Sequence, residues 1–455
     1  MSLDTTDTIA AIATPPGRSG VGIIRVSGPQ TKTIAKSILG KLPITRCASF
    51  FCFKDEDGSS LDEGLAIYFE GPNSFTGEDV LELHGHGSPI VLDCLLKRVL
   101  LLGARIAQPG EFSFRSFMNN KMDLMKAESV ADLINAHSEQ AARSAIRSMQ
   151  GEFSKKIHVL LQALIDLRVL VEASIDFPEE EIDFLTEEKI NAPLITMISK
   201  IKAIQSVAKQ GVLLQEGIRV VIVGEPNVGK SSLLNCLSGR DSAIVTEIAG
   251  TTRDALKEQI HLDGLPVHVV DTAGLRKTND SIEREGILRA HHEMKQADML
   301  LVVADGMMKQ ESEQIFQTLN LDEILVEKTP MTIVVNKIDL MRRQPEKIKH
   351  RNHDTIFLSA KTGQGIDILK NHLKEHMGYQ KSEEGNFIAR RRHLDALSRA
   401  LTHLEKGQSE YETNRAGELL AENLKLSQQA LSEITGDFSA DDLLGEIFST
   451  FCIGK

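Results

Sequence analysis

The spacing of apolar and polar positions changes three times along the chain. Up to residue 118, short apolar runs such as GIIRVSG and DVLELHG alternate with Gly, Pro and Asn, which predicts strands joined by turns and one helix over Ser88–Leu102. From Met122 to about residue 210, glycine is rare and apolar residues recur at helical spacing. Residues 216–378 return to strand-like apolar runs separated by helical stretches, and the chain is helical again after Ser382.

These changes predict a multidomain protein. We expect an N-terminal α+β domain at 1–120, a helical-bundle domain formed by 121–215 plus 381–455, and an α/β domain with a mostly parallel sheet at 216–380. A chain of 455 residues is long enough for about three domains, each with its own hydrophobic core. The α/β domain would then be inserted into the helical domain.

Composition and charge exclude several classes of protein. Charged residues make up 25% of the chain, and no apolar run approaches the roughly 18–20 residues of a membrane-spanning helix, so we expect a soluble protein. The first residues, MSLDTTDTIAAIATPPGR, lack the basic cluster of a signal peptide, which favours a cytoplasmic location. Five cysteines without CxxC spacing argue against a disulfide framework or a structural metal site. The net charge of −12 argues against non-specific binding of nucleic acid over the whole surface.

The strongest chemical signal is the loop that follows the apolar run RVVIV. Residues 224–231 read GEPNVGKS, which matches the phosphate-binding pattern GxxxxGK[ST] at every position, and a helical stretch follows. The backbone amides of such a loop surround phosphates, Lys230 supplies a positive charge, and the Ser231 hydroxyl can bind Mg²⁺. Further along, the strand-like run VHVV ends in DTAG, where Asp271 can act on the magnesium shell and the Gly274 amide can contact the terminal phosphate.

Two later motifs select the base. Asn336-Lys-Ile-Asp339 follows another apolar run, and the Asp339 carboxylate can accept hydrogen bonds from the N1 and N2 donors of guanine, which adenine lacks. Ser359-Ala-Lys361 stands at the spacing expected for a backbone contact to the guanine oxygen. We therefore predict a Ras-like P-loop GTPase domain and a GTP-hydrolysing enzyme. Ras-like enzymes orient the attacking water with a glutamine after DxxG, but Leu275 stands there and cannot form a hydrogen bond, so another residue must position the water.

Longer stretches resemble one family of GTPases. GEPNVGKSSLLN, TEIAGTTRD and DTAGLRKTNDSIEREG are similar to the MnmE (TrmE) family of bacterial tRNA-modification GTPases, as are TPPGRSGVGIIRVSG near the N-terminus and FCIGK at the C-terminus. This resemblance implies hydrolysis activated by K⁺, with the ion held by Asn227, Thr246, Ile248 and Thr251. It also implies Mg²⁺ held by Ser231 and Thr252, and Glu283 as the catalytic residue that orients the water. The residues that the resemblance places around GTP are Asn227, Val228, Gly229, Lys230, Ser231, Ser232, Thr246, Glu247, Ile248, Ala249, Gly250, Thr251, Thr252, Asp271, Thr272, Ala273, Gly274, Asn336, Lys337, Asp339, Ser359, Ala360 and Lys361.

The same resemblance implies a second site in the N-terminal domain. It implies binding of a reduced folate, 5-formyl- or methylene-tetrahydrofolate, by Arg25, Glu82, Lys121 and Lys455. It also places the C-terminal tail beside the folate, so the Cys452 thiol is a candidate catalytic group that could attack an electrophilic carbon or deliver a proton, and a structural contact is the alternative.

Two histidines in the N-terminal domain invite a metal interpretation. His84 and His86 are separated by one residue, so their imidazoles could converge on an ion. The neighbouring sequence offers no evident third ligand, and a turn at the end of a strand is the simpler interpretation.

The resemblance also implies the reaction and the partners. We expect a GTPase that works with an FAD-containing partner of the MnmG type and adds an aminomethyl or carboxymethylaminomethyl group to C5 of the wobble uridine of certain tRNAs, with a folate supplying the carbon. The family forms homodimers, which would assemble with the partner into a heterotetramer. The alternative is a ribosome-assembly switch, because the Era and EngA families share PNVGKSSLLN and GTTRD. Such proteins need a basic RNA-binding module after the GTPase, whereas residues 382–455 show helices and acidic residues.

Overall fold

A computed structural model describes most of the chain, over residues 6–136, 138–176, 187–238, 257–271, 293–308, 329–350, 353–379, 387–414, 416–436, 447–448, 451 and 454. The chain divides into two compact units, and each contains one β-sheet. Unit 1 comprises residues 1–135, 145–205 and 392–455, and unit 2 comprises residues 136–144 and 206–391. The division into three domains stays a prediction.

Unit 1 begins with a six-stranded sheet. In chain order its strands are β1 (Ile9–Ile12), β2 (Ser19–Ser27), β3 (Ser49–Lys54), β4 (Ser60–Phe69), β5 (Val80–Gly87) and β6 (Arg105–Ile106). The strand order is β3-β4-β5-β2-β1-β6, and all neighbouring pairs are antiparallel except β1 and β6. Helices α1 (Thr31–Leu39) and α2 (Pro89–Leu101) supply apolar side chains to its core. The α+β character and the helix predicted over 88–102 are confirmed.

Alternation along the strands decides which face of this sheet is buried. On β2, Ile24 and Val26 are buried in the core, whereas Arg25 between them is half-buried and belongs to the opposite face. Helix α1 ends at Gly40, whose φ of 78° is the left-handed conformation that commonly closes a helix. The opposite face of the sheet therefore carries the polar side chains that sequence analysis assigned to a ligand.

A helical segment follows this sheet. Its helices are α3 (Glu111–Met118), α4 (Leu124–Ile134), α5 (Glu139–Met149), α6 (Glu152–Asp176) and α7 (Glu187–Glu216). The apolar positions that recur at helical spacing point into the core, since Leu164, Leu167 and Val171 of α6 are all buried. Helix α4 begins after Asp123, whose carboxylate accepts a hydrogen bond from the Lys126 amide and so caps the helix.

Unit 2 is built on a seven-stranded sheet. Its strands are β7 (Ile218–Gly224), β8 (Lys257–Leu262), β9 (Leu265–Asp271), β10 (Met299–Asp305), β11 (Met331–Asn336), β12 (Glu346–Lys349) and β13 (Asp354–Phe357), and its helices include α8 (Lys230–Ser238), α9 (Ile338–Met341) and α10 (Ile366–His376). The order is β12-β13-β11-β10-β7-β9-β8, with parallel pairing throughout the centre and an antiparallel strand at each edge. The mostly parallel sheet predicted from the apolar runs is confirmed.

Two further helices return the chain to unit 1. They are α11 (Arg391–Asn414) and α12 (Gly417–Thr435), and α12 packs along α6. Leu404, Leu420 and Leu424 are buried, whereas Leu419 is 48% exposed. None of the helices in the described residues combines the length and the apolar composition of a membrane span.

Candidate functional site

The phosphate-binding motif forms a tight loop between β7 and α8. Gly224 ends β7 beside β10, where a Cβ would collide with the Val303 carbonyl oxygen. Asn227 and Gly229 adopt the left-handed conformation, with φ of 64° and 97°, so the chain curls before it enters α8 at Lys230. A loop of this shape at a helix N-terminus presents its amides to an anion.

Lys230 lies folded back over this loop. Its Nζ donates hydrogen bonds to the carbonyl oxygens of Gly224 at 2.9 Å and Glu225 at 3.1 Å. These bonds hold the ammonium against the loop that would surround the phosphates. Ser231 and Ser232 follow in the first turn of α8.

Asn336 joins three of the predicted motifs. Its side chain is buried at the end of β11, and its Nδ2 donates to the Val228 carbonyl of the phosphate loop at 2.8 Å. Its Oδ1 accepts hydrogen bonds from the amides of Lys337 at 2.8 Å and Ala360 at 2.9 Å. One amide side chain thus links the phosphate loop to both base-selecting motifs.

The Asp339 carboxylate is held in position by Ser359. The Ser359 hydroxyl is buried and donates to Asp339 Oδ1 at 2.6 Å. Among the described residues, Asp339 Oδ2 has no hydrogen-bond partner, which leaves one carboxylate oxygen for the donors of a base. The Ala360 carbonyl accepts a hydrogen bond from the Cys236 thiol of α8 at 2.7 Å, a contact that no motif predicted.

The predicted nucleotide residues that can be located lie at one edge of the sheet. Strands β7, β9, β10 and β11 are parallel, and their carboxyl ends carry Gly224, Asp271, Asp305 and Asn336. Ligands bind at this edge in open α/β sheets. Other predicted residues lie outside the described residues, namely Thr246, Glu247, Ile248, Ala249, Gly250, Thr251, Thr252, Thr272, Ala273, Gly274 and Glu283.

A second polar cluster lies on the sheet of unit 1. Arg25 donates to Glu82 Oε1 from Nε at 3.0 Å and from Nη2 at 2.8 Å. Its guanidinium lies 5.6 Å from the ring centre of Phe75 and 5.7 Å from that of Phe112. Its Nη1 donates to the Gly454 carbonyl at 3.3 Å, so the C-terminal end of the chain reaches this cluster. Cys452 and Lys455 lie outside the described residues.

Lys121 reaches the segment that carries Phe75. Its Nζ donates to the Pro72 carbonyl at 2.8 Å. Within the described residues, no hydrogen bond or ion pair joins Lys121 to Arg25 or Glu82. Phe75 and Phe112 belong to no motif that the sequence analysis recognised, so their place beside Arg25 was missed.

His84 and His86 lie within β5, which corrects the expectation of a turn at a strand end. Because alternate residues of a strand share a face, the two imidazoles follow Glu82 along one side of β5. His84 Nε2 lies 3.1 Å from Glu82 Oε2, and His86 Nδ1 lies 2.7 Å from Asp62 Oδ1. The hydrogen bond to Asp62 raises the pKa of His86. Each histidine thus pairs with its own carboxylate, and the described residues contain no cluster of three or more His, Cys, Asp or Glu that could hold a metal ion.

Comparison with known proteins decides the family. A family model described as the MnmE helical domain matches residues 124–452, and one described as the GTP-binding protein TrmE N-terminus matches residues 8–121. The chain is 57% identical over 454 residues to the tRNA modification GTPase MnmE of Yersinia pseudotuberculosis serotype IB (strain PB1/+), with 100% of both chains covered. It is 58% identical over 451 residues to the MnmE of Coxiella burnetii (strain Dugway 5J108-111), with 99% of both covered. This chain belongs to the MnmE family.

Membership in the MnmE family decides between the two functions that the sequence left in competition. The similarity covers the N-terminal and helical segments as well as the GTPase motifs, so the chain is a GTPase that takes part in tRNA modification. The chain also matches a solved structure of Era from Aquifex aeolicus, at 24% identity over 41% of this chain and 66% of that one, with a TM-score of 0.27. A likeness this weak adds nothing to the MnmE assignment.

Proposed function

We propose that this MnmE-family GTPase is activated by K⁺ and works with a flavoprotein of the MnmG type on the wobble uridine of certain tRNAs. The product would carry an aminomethyl or carboxymethylaminomethyl group on C5. The full-length identity of 57% to a tRNA modification GTPase is the observation that carries this proposal.

The nucleotide part of the proposal rests on the loops at the carboxyl edge of the unit 2 sheet. We assign the phosphates to the loop 224–231, and the base to Asp339 with the loop at 359–361. Ser231 with Thr252 would hold Mg²⁺, and Asn227 with Thr246, Ile248 and Thr251 would hold K⁺. The donor chemistry fits hard cations, since Ser231 offers a hydroxyl in the first turn of α8 and Asn227 offers an amide oxygen in the loop.

Each group would have a separate task in hydrolysis. Bound K⁺ would neutralise charge that develops between the phosphates. Leu275 occupies the position of the glutamine used by Ras-like enzymes and cannot form a hydrogen bond, so another residue must orient the attacking water. The family resemblance assigns this role to Glu283. Lys230 would hold the outer phosphates while the loop amides surround them.

The one-carbon part of the proposal rests on Arg25 and Glu82. A carboxylate has about four lone-pair positions. Among the described residues, Arg25 occupies two of them on Oε1 and His84 contacts Oε2, so one position on Glu82 remains for an N–H of a pterin. Lys121 and Lys455 would neutralise the glutamate tail of a reduced folate, 5-formyl- or methylene-tetrahydrofolate. The contact between Gly454 and Arg25 supports a place for Cys452 near the one-carbon unit, where a thiol can act as a nucleophile or a proton donor.

The partner assignments rest on the surfaces of the chain. Phe50 and Leu65 face each other across β3 and β4, and they are 69% and 43% exposed. An exposed apolar pair on a sheet supports a homodimer formed through the N-terminal domain. The net charge of −12 supports a division of labour in which a flavoprotein partner provides most of the tRNA-binding surface.

Mass spectrometry of tRNA nucleosides tests the reaction. Cells that lack this protein should contain unmodified wobble uridines, and the intact gene supplied in trans should restore the aminomethyl or carboxymethylaminomethyl groups. Normal modification in the deleted cells would refute the role in tRNA modification but not the GTPase activity. A separate assay of the purified protein should show faster GTP hydrolysis in K⁺ than in Na⁺ at equal ionic strength, and equal rates would refute the assignment of the ion.

A further inference from the structure

The side chains of the base-selecting segment Asn336–Asp339 are anchored by different parts of unit 2. Asn336 bonds to the phosphate loop and to Ala360, and Asp339 bonds to Ser359. These partners all belong to motifs that predict a GTPase. The partner of Lys337 does not, since its Nζ donates to Asp305 Oδ2 at 2.6 Å.

Asp305 is itself rigidly held. It is the last residue of β10, and it pairs directly with Asn336 across the parallel strands. Its Oδ1 accepts a hydrogen bond from the Met307 amide at 3.0 Å, while Oδ2 accepts the bond from Lys337. The Asp305 side chain is 15% exposed and that of Lys337 is 31% exposed, so water only partly screens this ion pair.

The backbone at this point needs such support. Lys337 adopts a φ of 67°, a left-handed conformation that residues other than glycine rarely take. It directly precedes α9, which carries Asp339 in its first turn. The amide of Gly306, next to Asp305, donates to the Asn336 carbonyl at 2.9 Å, and a Cβ on Gly306 would collide with Met341. The end of β10 therefore holds the start of the base-selecting segment through main chain and side chain together.

We propose that Asp305 is a positioning residue for guanine recognition. It fixes the Lys337 side chain and thereby the left-handed turn from which α9 starts. That turn sets the direction of the Asp339 carboxylate, whose other restraint is Ser359. Because Asp305 acts through Lys337, its loss weakens guanine-nucleotide binding. Asp305 ends β10, whereas the phosphate loop follows β7, so its loss leaves the chemical step intact.

The ionisation of the pair agrees with this role. Burial by itself would raise the pKa of Asp305, but the hydrogen bonds from Lys337 and the Met307 amide, together with the charge of Lys337, outweigh it and hold the pKa below its ordinary value. Asp305 is therefore negatively charged at neutral pH, and the bond to Lys337 is a charge-assisted one.

The test uses the full-length protein with Asp305→Ala and Asp305→Asn. We expect Asp305→Ala to raise the Kd of both GTP and GDP about tenfold, the size of a lost charge-assisted hydrogen bond, and to change kcat at saturating GTP by less than about twofold. Asp305→Asn retains an oxygen acceptor and should recover part of the loss. In a double-mutant cycle, Asp305→Ala should add little once Lys337 is already alanine.

Asp263 provides a matched control in the same unit. It accepts a hydrogen bond from Lys374 at 2.6 Å, so Asp263→Ala removes the same chemical pair away from the base-selecting motifs. This variant should leave both Kd values within about twofold of the wild type. A Kd for Asp305→Ala equal to that of the control would overturn the proposal, as would a fall in kcat without a change in Kd, or full additivity with Lys337→Ala.

Discussion

At the scale of single residues, the side chains of the base-selecting segment make hydrogen bonds within the protein that the sequence motif does not predict. Asn336 bonds to two other loops, through Val228 and Ala360, and to the amide of its neighbour Lys337, while Asp339 gives one carboxylate oxygen to Ser359. Residues assigned to ligand binding thus also hold the loops together. Substitutions at these residues change affinity through both effects, and only Asp339 retains an oxygen for the base.

Asp339→Asn should change the base that the protein prefers. The carboxylate accepts N–H donors of guanine, whereas the amide donates to the carbonyl that xanthine carries at the same position. We expect the Kd of GTP to rise roughly 100-fold or more and that of XTP to fall. Equilibrium titration with both nucleotides checks this, and an unchanged ratio of the two affinities would remove Asp339 from base selection.

Glu283→Ala should separate binding from hydrolysis. Glu283 lies outside the described residues, so the prediction rests on the family resemblance alone. We expect GTP affinity to be largely preserved and turnover to fall about 10²–10⁴-fold, the usual size of a lost positioning or acid–base contribution. Single-turnover hydrolysis in saturating K⁺ measures this, and wild-type turnover would exclude Glu283 from the mechanism.

At the scale of elements, a buried histidine joins a helix to the sheet of unit 2. His372 of α10 is 3% exposed, and its Nε2 lies 2.7 Å from the Thr332 hydroxyl of β11. Burial, reinforced by the charge of Lys347, lowers the pKa of His372 from 6.5 to about 4. The imidazole is therefore neutral in the folded protein at neutral pH.

This histidine makes stability depend on pH in one direction. The unfolded chain binds the proton more tightly, so the contribution of His372 is complete above about pH 6.5 and is lost as the pH falls toward 4. We expect the free energy of unfolding to fall by as much as about 3 kcal/mol across this range because of His372. Denaturant titrations at several pH values measure how the free energy of unfolding depends on pH, and this dependence should be weaker for His372→Gln than for the wild type. The control His376→Gln changes an exposed neighbour and should keep the wild-type dependence.

At the scale of the whole molecule, unit 1 is assembled from segments that lie far apart in the sequence. Glu128 of α4 is buried and accepts hydrogen bonds from Arg392 of α11 at 2.9 and 2.7 Å, although 264 positions separate the two residues. His393 lies 3.1 Å from the same carboxylate. This ion cluster ties the segment before the unit 2 sheet to the segment after it.

Glu128→Ala should therefore destabilise unit 1 strongly. It would leave the Arg392 guanidinium without its carboxylate at a largely buried position, which typically costs about 3–5 kcal/mol. The matched control is Lys202→Ala, which breaks the exposed pair with Glu405 in the same unit and should cost less than about 1 kcal/mol. Chemical denaturation of the full-length variants measures both, and equal losses would show that the buried cluster contributes no more than a surface pair.

The features that could be predicted from the sequence are those set by residues close together in the chain. Apolar spacing predicted α2, the buried stripe of α6 and the parallel strands of unit 2. Such predictions are possible because the periods of helix and strand appear as the spacing of apolar residues within a short stretch of sequence. The phosphate loop was predictable for the same reason, because its glycines and Lys230 all lie within residues 224–231. The error was local as well, since His84 and His86 lie within β5 and not in a turn at its end.

The sequence by itself determined the fold class, the GTPase motifs and the family, because each depends on residues close together in the chain. Only the tertiary structure decided the contacts between Asp305 and Lys337, Arg25 and Gly454, and Glu128 and Arg392. In each case the partners come from separate elements, and their approach depends on strand order and helix packing. Apolar and polar spacing records which face of an element is buried, but not which other element buries it.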